Sequence, residues 1–354
     1  MKISFGNLNQ EFTTTLNKEV HEYFVSGERK KTGNSILYVK SIVLLTTAFI
    51  IYAILLFASL PTWANVLLCI ALGLNLAGIG FNVMHDSGHG SYSPKLWVNY
   101  IMGASLNLMG GNIYIWKEKH NISHHAFTNI EEVDDDLDIR PWLRTNKNQA
   151  WRPYHRFQHI YAFFLYGIAY LSWVFSRDFQ KYFSGKVGER QMKKMKLKDH
   201  FIFWGSKLTY IFIFIVLPVI VLGYQALIGY LIMAFTCGLT ISTVFQLAHV
   251  VEVSEFPVVT EEDQNIPQDW AIYQLATTAD FSTRNKFMTW LLGGLNFQVE
   301  HHLFPRVSHV HYPEISQIVK KVCEQFHIKH LEFPNIFKAI GSHVRYLKIV
   351  GAEP

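Results

Sequence analysis

The sequence predicts an all-α integral membrane protein with four transmembrane helices in two hairpins. Half of the 354 residues are hydrophobic, 15% are aromatic and only 17% are charged, against about 25% charged in a typical soluble domain. Four stretches, 41–60, 64–84, 207–223 and 226–247, are apolar enough to cross a hydrocarbon core of ~30 Å at about 20 residues each. Seven of the 17 histidines fall into three short boxes.

The first two spans are joined by Pro61-Thr-Trp63 and the second two by Gly223-Tyr-Gln-Ala226, which makes each pair an antiparallel hairpin. Arg29, Lys30, Lys31 and Lys40 precede the first span. Arg177, Lys181, Lys186, Arg190, Lys193, Lys194, Lys196, Lys198 and Lys207 precede the third. Excess Lys and Arg mark cytoplasmic loops, so both termini and the central region are expected in the cytoplasm, at a bacterial inner membrane or an endoplasmic reticulum-like membrane. The +5 net charge thereby needs no nucleic-acid partner. A fifth apolar stretch, 157–175, is rich in Tyr, Phe and Trp and reads as a helix lying in the interface, as does 96–116. The first 35 residues lack the apolar core of a cleavable signal peptide, so the first span is expected to serve as an uncleaved signal.

With no internal repeat or linker, residues 1–354 read as one domain, with a cytoplasmic cap from 1–40, 85–206 and 248–354. After His311 the chain reads as an amphipathic helix with Ile315, Ile318, Val319 and Val322 on one side. Cys69, Cys237 and Cys323 are too scattered for a disulfide framework or a zinc knuckle. Glu131, Glu132, Glu261, Glu262 and Asp263 read as solvated acidic faces.

The boxes are His85-Asp-Ser-Gly-His89, His120-Asn-Ile-Ser-His124-His125 and Gln298-Val-Glu-His301-His302. At i, i+4 on a helix, His85/His89 and His120/His124 each present two imidazoles to one point. The adjacent pairs His124-His125 and His301-His302 point apart, which suits bridging two centres. His249 emerges at the end of the fourth span, as His85 does at the end of the second, and joins as an eighth ligand. Eight imidazoles exceed one tetrahedral ion, so a dimetal site is expected in the cap. A zinc-protease reading fails because Asp86 and Asn121, not Glu, follow the first histidines. A ferritin-like site wants two Glu-x-x-His pairs, and Glu324-x-x-His327 is a single one outside the boxes. Imidazole suits several metals; iron is the expected occupant where dioxygen is used. Ligating histidines donate their other N–H to an acceptor. Of Asp86, Asp134, Asp135, Asp136, Asp138, Asp280 and Glu300, the favoured partners are Asp134 and Asp138. His155 and His159 read as boundary residues, His309 and His311 as caps of the site, and His200, His327, His330 and His343 as surface residues.

From His85 through His302 and on into Leu303-Phe-Pro-Arg-Val-Ser-His-Val-His311, the chain resembles the membrane fatty acid desaturases. The segment Trp116-Lys-Glu-Lys-His-Asn-Ile-Ser-His-His-Ala-Phe-Thr-Asn129, followed by Asp134-Asp-Asp-Leu-Asp138, is similar to that family's second box and acidic tail. Gln298 stands where many members have histidine, a variant that resembles the front-end desaturases. Its amide is expected to bind the metal weakly or to hold a metal-bound water. The resemblance implies two iron ions, O2 as co-substrate and a fatty acyl chain on coenzyme A, carrier protein or a lipid, with a cis double bond and two waters as products. About 36 residues precede the first span and no His-Pro-Gly-Gly haem motif occurs. Electrons are therefore expected from a separate ferredoxin or cytochrome b5-like protein with its reductase, with the basic loop 181–207 as a docking surface. Two other readings stay open at this point: a di-iron lipid hydroxylase of the same superfamily and a non-catalytic membrane metal carrier.

Overall fold

The computed structural model describes residues 3–260 and 264–352, so the acidic run Glu261, Glu262, Asp263 lies outside the described residues. The chain divides into two compact units. One holds residues up to Gly33, Lys119–Tyr161 and everything from Val244 onward; the other holds Asn34–Glu118 and Ala162–Thr243. Much of the central region expected in the cap thus groups with the apolar helices.

Among the described residues five helices, one more than the four expected spans, are long and apolar enough to cross a membrane: Ser35–Phe57, Thr62–His89, Pro153–Ser184, Leu197–Leu222 and Gln225–His249. The first begins ahead of residue 41 because Asn34 Oδ1 accepts from the backbone N–H groups of Ile36 and Leu37, at 3.1 and 3.3 Å, satisfying two of the donors that a helix start leaves open. The second runs past Met84. A π-turn at Gly80–Met84 leads directly into a last α-turn, His85–His89, and Gly90 closes it at φ 77°, a left-handed value that glycine adopts without a Cβ penalty. The first histidine box is therefore the end of an apolar helix, and its ring positions are fixed by that helix.

The helix Pro153–Ser184 differs from the expected interfacial segment. A Cβ on Gly238 would lie 2.6 Å from the Gly167 carbonyl oxygen and 2.9 Å from that of Tyr166. Only glycine permits this approach, the small-residue packing typical of membrane helices. The middle of Pro153–Ser184 thus rests on the middle of Gln225–His249. The segment 96–116 forms three short helices, Leu96–Gly103, Ser105–Leu108 and Ile113–Trp116, with Leu96, Trp97, Tyr100, Ile101 and Leu108 exposed.

Two of the expected flanking charges are built into the fold. Lys207 is buried and donates to Asp178 Oδ2 at 2.8 Å, the Gly110 carbonyl at 2.6 Å and the Val174 carbonyl at 2.9 Å, which satisfies all three ammonium protons. Arg190 holds Glu118 through both its carboxylate, at 3.0 Å, and its backbone carbonyl, at 2.7 Å. Lys186, Lys193, Lys194, Lys196 and Lys198 are exposed.

The all-helical expectation is qualified by three two-stranded pairs. Ser4–Leu8 runs parallel to Asn265–Gln268, Asp280–Phe281 parallel to Glu332–Phe333, and Lys186–Val187 antiparallel to Arg190–Gln191. The core of the first unit sits between Gln10–Ser26 and Tyr312–Gln325. Phe12, Leu16, Val20 and Phe24, at helical spacing, meet Ile315, Val319 and Val322 from the amphipathic helix expected after His311. Phe297, Val299 and Leu303 of the third box join the same cluster, so the N-terminal helix buttresses the segment that carries His301 and His302. Phe12 is fully buried, edge-on to Phe326 at 5.8 Å. Phe12→Ala should destabilise this unit by roughly 3–5 kcal/mol, read as a lower chemical-denaturation midpoint of detergent-solubilised protein; an unchanged midpoint would contradict the packing.

Candidate metal centre

Six of the eight expected ligands lie in one unit and converge. His120, His124 and His125 come from the second box, His249 is the last residue of Gln225–His249, and His301 and His302 lie on the short helix Gln298–Leu303. The rings of His124, His249 and His302 form a near-equilateral triangle with centroids 4.8, 4.8 and 4.9 Å apart. His125 lies 4.5 Å from both His301 and His302. In each of the triads His124/His249/His302 and His125/His301/His302, one nitrogen per ring falls within 4.8 Å of the others. His302 belongs to both, the arrangement expected of two neighbouring ions.

The second box is not α-helical. Lys117–His124 is a π-helix, and the His125 N–H bonds to the His120 carbonyl at 3.1 Å, five residues back. The wider turn keeps His124 stacked on His120, centroids 5.1 Å apart, and brings His125 to the same face at 4.7 Å, with the two Nε2 atoms of His120 and His125 3.2 Å apart. His124 and His125 lie at 73° to one another and fall in different triads, in keeping with the expectation that the adjacent rings point apart, and both flank His120.

Five of the six rings are engaged at Nδ1. His124 Nδ1 donates to Asp134 at 2.9 and 3.1 Å, and His120 Nδ1 to Asp136 Oδ2 at 2.8 Å. His302 Nδ1 donates to Gln274 Oε1 at 2.8 Å, and the His249 Nδ1 faces the Thr277 carbonyl at 3.4 Å. His301 Nδ1 and the Tyr312 hydroxyl share a hydrogen bond of 3.1 Å. A proton held at Nδ1 leaves the lone pair on Nε2. The Nε2 atoms of His124 and His249 are buried and have no hydrogen-bond partner among the described residues. Buried polar atoms without partners are rare and costly, and a metal ion satisfies such lone pairs. The residues present therefore fit a metal pair.

Electrostatics act on Asp136 and on the two rings of the second box in different directions. Burial opposes ionisation of Asp136, yet Lys119 and His120 outweigh it and hold the carboxyl well below the usual range. Burial pushes His120 down despite Asp136. Burial acts on His124 in the same direction, but Asp134 outweighs it and the ring ends up raised.

Asp134, favoured from sequence, lies on His124. Asp138 does not take the matching place on His120: its carboxylate receives Arg140 Nε and Nη2, both at 2.9 Å. Asp136 stands there, because Asp134 Oδ1 accepts the Asp136 N–H at 3.1 Å and the resulting turn aims alternate carboxylates inward. Asn129, Gln274, Thr277 and Tyr312 had no signal in the sequence. Asn129 is left-handed at φ 64°, and its amide reaches the carbonyls of His249, Glu255 and Thr277 at 3.2, 2.8 and 3.3 Å, tying the second box to the end of the apolar helix. Gln274 donates to the His125 carbonyl at 2.9 Å, which orients its oxygen toward His302. Gln298 is buried rather than solvent-facing.

In the other unit, His85 is buried and His89 half-buried, with rings 4.8 Å apart. Both lie edge-on to Trp116, at 5.8 and 5.5 Å, and Gly88 makes room for the indole, which a Cβ would strike. Of the remaining histidines, His327 is exposed as expected, whereas His343 is fully buried and donates to the Val250 carbonyl at 2.6 Å. His155 is also buried, with Nε2 donating to the Pro141 carbonyl at 2.9 Å. His330, expected at the surface, faces the buried carboxylates of Asp280 and Glu300.

The sequence profile described as "Fatty acid desaturase" matches residues 61–334. An "Acyl-lipid (8-3)-desaturase" of Physcomitrium patens is 36% identical over 350 residues, 97% of this chain and 72% of that protein. An "sn-1 linoleoyl-lipid 6-desaturase" of Arthrospira platensis is 32% identical over 356 residues, 100% of this chain and 96% of that protein. A Synechocystis protein of the same name is 33% identical over 343 residues, 96% and 95% of the two chains. Asp134→Asn removes the charge behind His124 while keeping its shape, and should weaken metal retention about 10–100-fold, read as iron per polypeptide during chelator titration. Wild-type retention would show that Asp134 has no part in holding the ring.

Proposed function

The chain belongs to the fatty acid desaturase family, and we propose that it is a front-end acyl-lipid desaturase whose ligands are His85, His89, His120, His124, His125, His249, His301 and His302. It is an oxidoreductase of membranes that acts on fatty acyl chains. The observation that carries the site assignment is the pair of overlapping histidine triads with buried, unpartnered Nε2 atoms on His124 and His249. The inclusion of His85 and His89 rests on their i, i+4 spacing and on family membership.

Two iron ions and dioxygen supply, when bound, an oxidant able to remove hydrogen from an unactivated methylene, consuming two electrons and leaving a cis alkene and two waters. The chain's own contribution is placement. His124, His249 and His302 would hold one ion, and His125 and His301, with His120 beside them, the other. Asp134, Asp136 and Gln274 keep the Nδ1 protons of His124, His120 and His302 where they are, so that the Nε2 atoms of these rings stay available to metal. Burial of all six rings excludes water from the place where a reactive oxidant would be quenched. Selectivity among methylenes follows from how far along the chain the acyl group is held.

The front-end assignment draws on Gln298 and on the names of the relatives, which act on linoleoyl-lipid or acyl-lipid substrates. Those names give no support to the hydroxylase or metal-carrier readings. Four crossings, with the ligands on the cytoplasmic side, are proposed from parity. Three candidate spans separate His125 from His301, yet these rings lie 4.5 Å apart; an odd number of crossings would part them. Pro153–Ser184 is the helix that enters the bilayer without traversing it. Electrons are proposed to come from a ferredoxin or a cytochrome b5-like protein and its reductase, drawn to the exposed lysines between 186 and 198.

Expression in a host that lacks polyunsaturated lipids, with linoleate supplied, should yield a new cis double bond between the existing one and the carboxyl end, located by mass spectrometry of the lipids. His124→Ala should abolish it while membrane insertion persists. An oxygenated product in place of the alkene, or full turnover in His124→Ala, would refute the reading.

A further inference from the structure

Beside the third box lies a second group of ligand-type side chains that the proposed reaction does not use. Asp280 and Glu300 are fully buried, and His330 nearly so. They come from three segments. The strand pair Asp280–Phe281/Glu332–Phe333 brings the first and last together, with the Asp280 N–H donating to the Leu331 carbonyl at 2.8 Å, and Glu300 sits on the helix Gln298–Leu303. Asp280 Oδ1 is used by the Val299 N–H at 2.9 Å. Its Oδ2, both Glu300 oxygens and His330 Nε2 are buried with no hydrogen-bond partner among the described residues, and one donor atom from each residue lies within 4.8 Å of the others.

The distances are informative. His330 Nε2 stands 3.3 Å from Asp280 Oδ2 and 3.7 Å from Glu300 Oε1. A charge-assisted hydrogen bond would close to about 2.7–2.9 Å. Ligands held at about 2.0–2.2 Å around a tetrahedral ion stand roughly 3.3–3.6 Å from one another. Two carboxylates and a neutral imidazole match the charge of a divalent cation.

We propose that Asp280, Glu300 and His330 bind one divalent transition-metal ion, separate from the histidine-box pair. Two oxygens and one imidazole nitrogen form a donor set that suits zinc or ferrous iron. Three protein ligands leave a fourth position for water. Such an ion would pin the helix bearing His301 and His302 to the strand pair behind it.

The test uses full-length protein in detergent, stripped of metal, reloaded with Zn2+ and counted by elemental mass spectrometry. The double variant Asp280→Asn/Glu300→Gln should bind one equivalent fewer than wild type. The difference is read whether or not the histidine boxes load, so it stands apart from the desaturase reading; His124→Ala should keep this equivalent. His330→Gln, which retains both carboxylates, is measured alongside and should show the same loss. X-ray absorption at the zinc edge of wild-type protein gives a reading free of any variant: an oxygen-rich shell with one imidazole should accompany the imidazole-rich shells. Equal uptake by wild type and a folded variant, or zinc in imidazole shells alone, overturns the proposal.

Discussion

The centre depends on anchoring imidazoles at Nδ1. A histidine in an apolar pocket has two ring nitrogens and no fixed tautomer, and either nitrogen could carry the proton. Asp134, Asp136 and Gln274 remove that freedom by taking the Nδ1 protons of His124, His120 and His302. The lone pairs then all lie on the inward nitrogens, and the rings cannot rotate without losing a buried hydrogen bond. An unmade buried hydrogen bond costs about 1–3 kcal/mol, more for a charged acceptor, so each anchor is a restraint of real size. The packing of Gln10–Ser26 under the third box and the Asn129 amide tying three carbonyls hold the anchors themselves in place.

The helical distortions serve the same end. A regular α-helix offers two ligands per face at i and i+4, and a third at i+5 turns away. In the π-turns of Lys117–His124 the backbone bonds five residues back, and His124 and His125 both stay beside His120 while serving different triads. Such turns are individually unfavourable and recur at functional sites. Here the distortion has a geometric reason: it gathers three ligands within six consecutive residues. The π-turn at Gly80–Met84, immediately ahead of His85–His89, sets the rotational phase of the first box at the end of its apolar helix.

What was legible in the sequence is what leaves a local trace. A scarce residue type at helical spacing marks the boxes, and the end of an apolar run marks His249. The amphipathic period after His311 gives Ile315, Val319 and Val322 as core. Partners chosen by tertiary proximity leave no such trace: Gln274 and Thr277 each stand 28 residues from the histidine they hold. In the acidic run, charge alone does not separate Asp136 from Asp138; the turn closed by the Asp136 N–H does. Composition likewise does not report depth. The aromatic content of 157–175 fits an interface, but Gly167 packs against Gly238 of another apolar helix, and one glycine pair is invisible until the two helices are seen together. His330 reads as a surface residue because its carboxylate partners are 50 and 30 positions away.

The choice of ligand type also has an electrostatic logic. A carboxylate-rich dimetal site cancels the charge of its ions directly at the metal. Neutral imidazoles cancel none of it. The compensating charge then has to stand one layer out, and that is where Asp134 and Asp136 are found, each on the far nitrogen of a ligating ring. Because the carboxylate acts through the imidazole, it strengthens the ring as a donor without occupying a coordination position. A metal pair held this way would keep coordination positions free for dioxygen. The same layer explains why Lys119 is spent on Asp136: a buried carboxylate that must remain ionised behind a ligand needs a cation of its own.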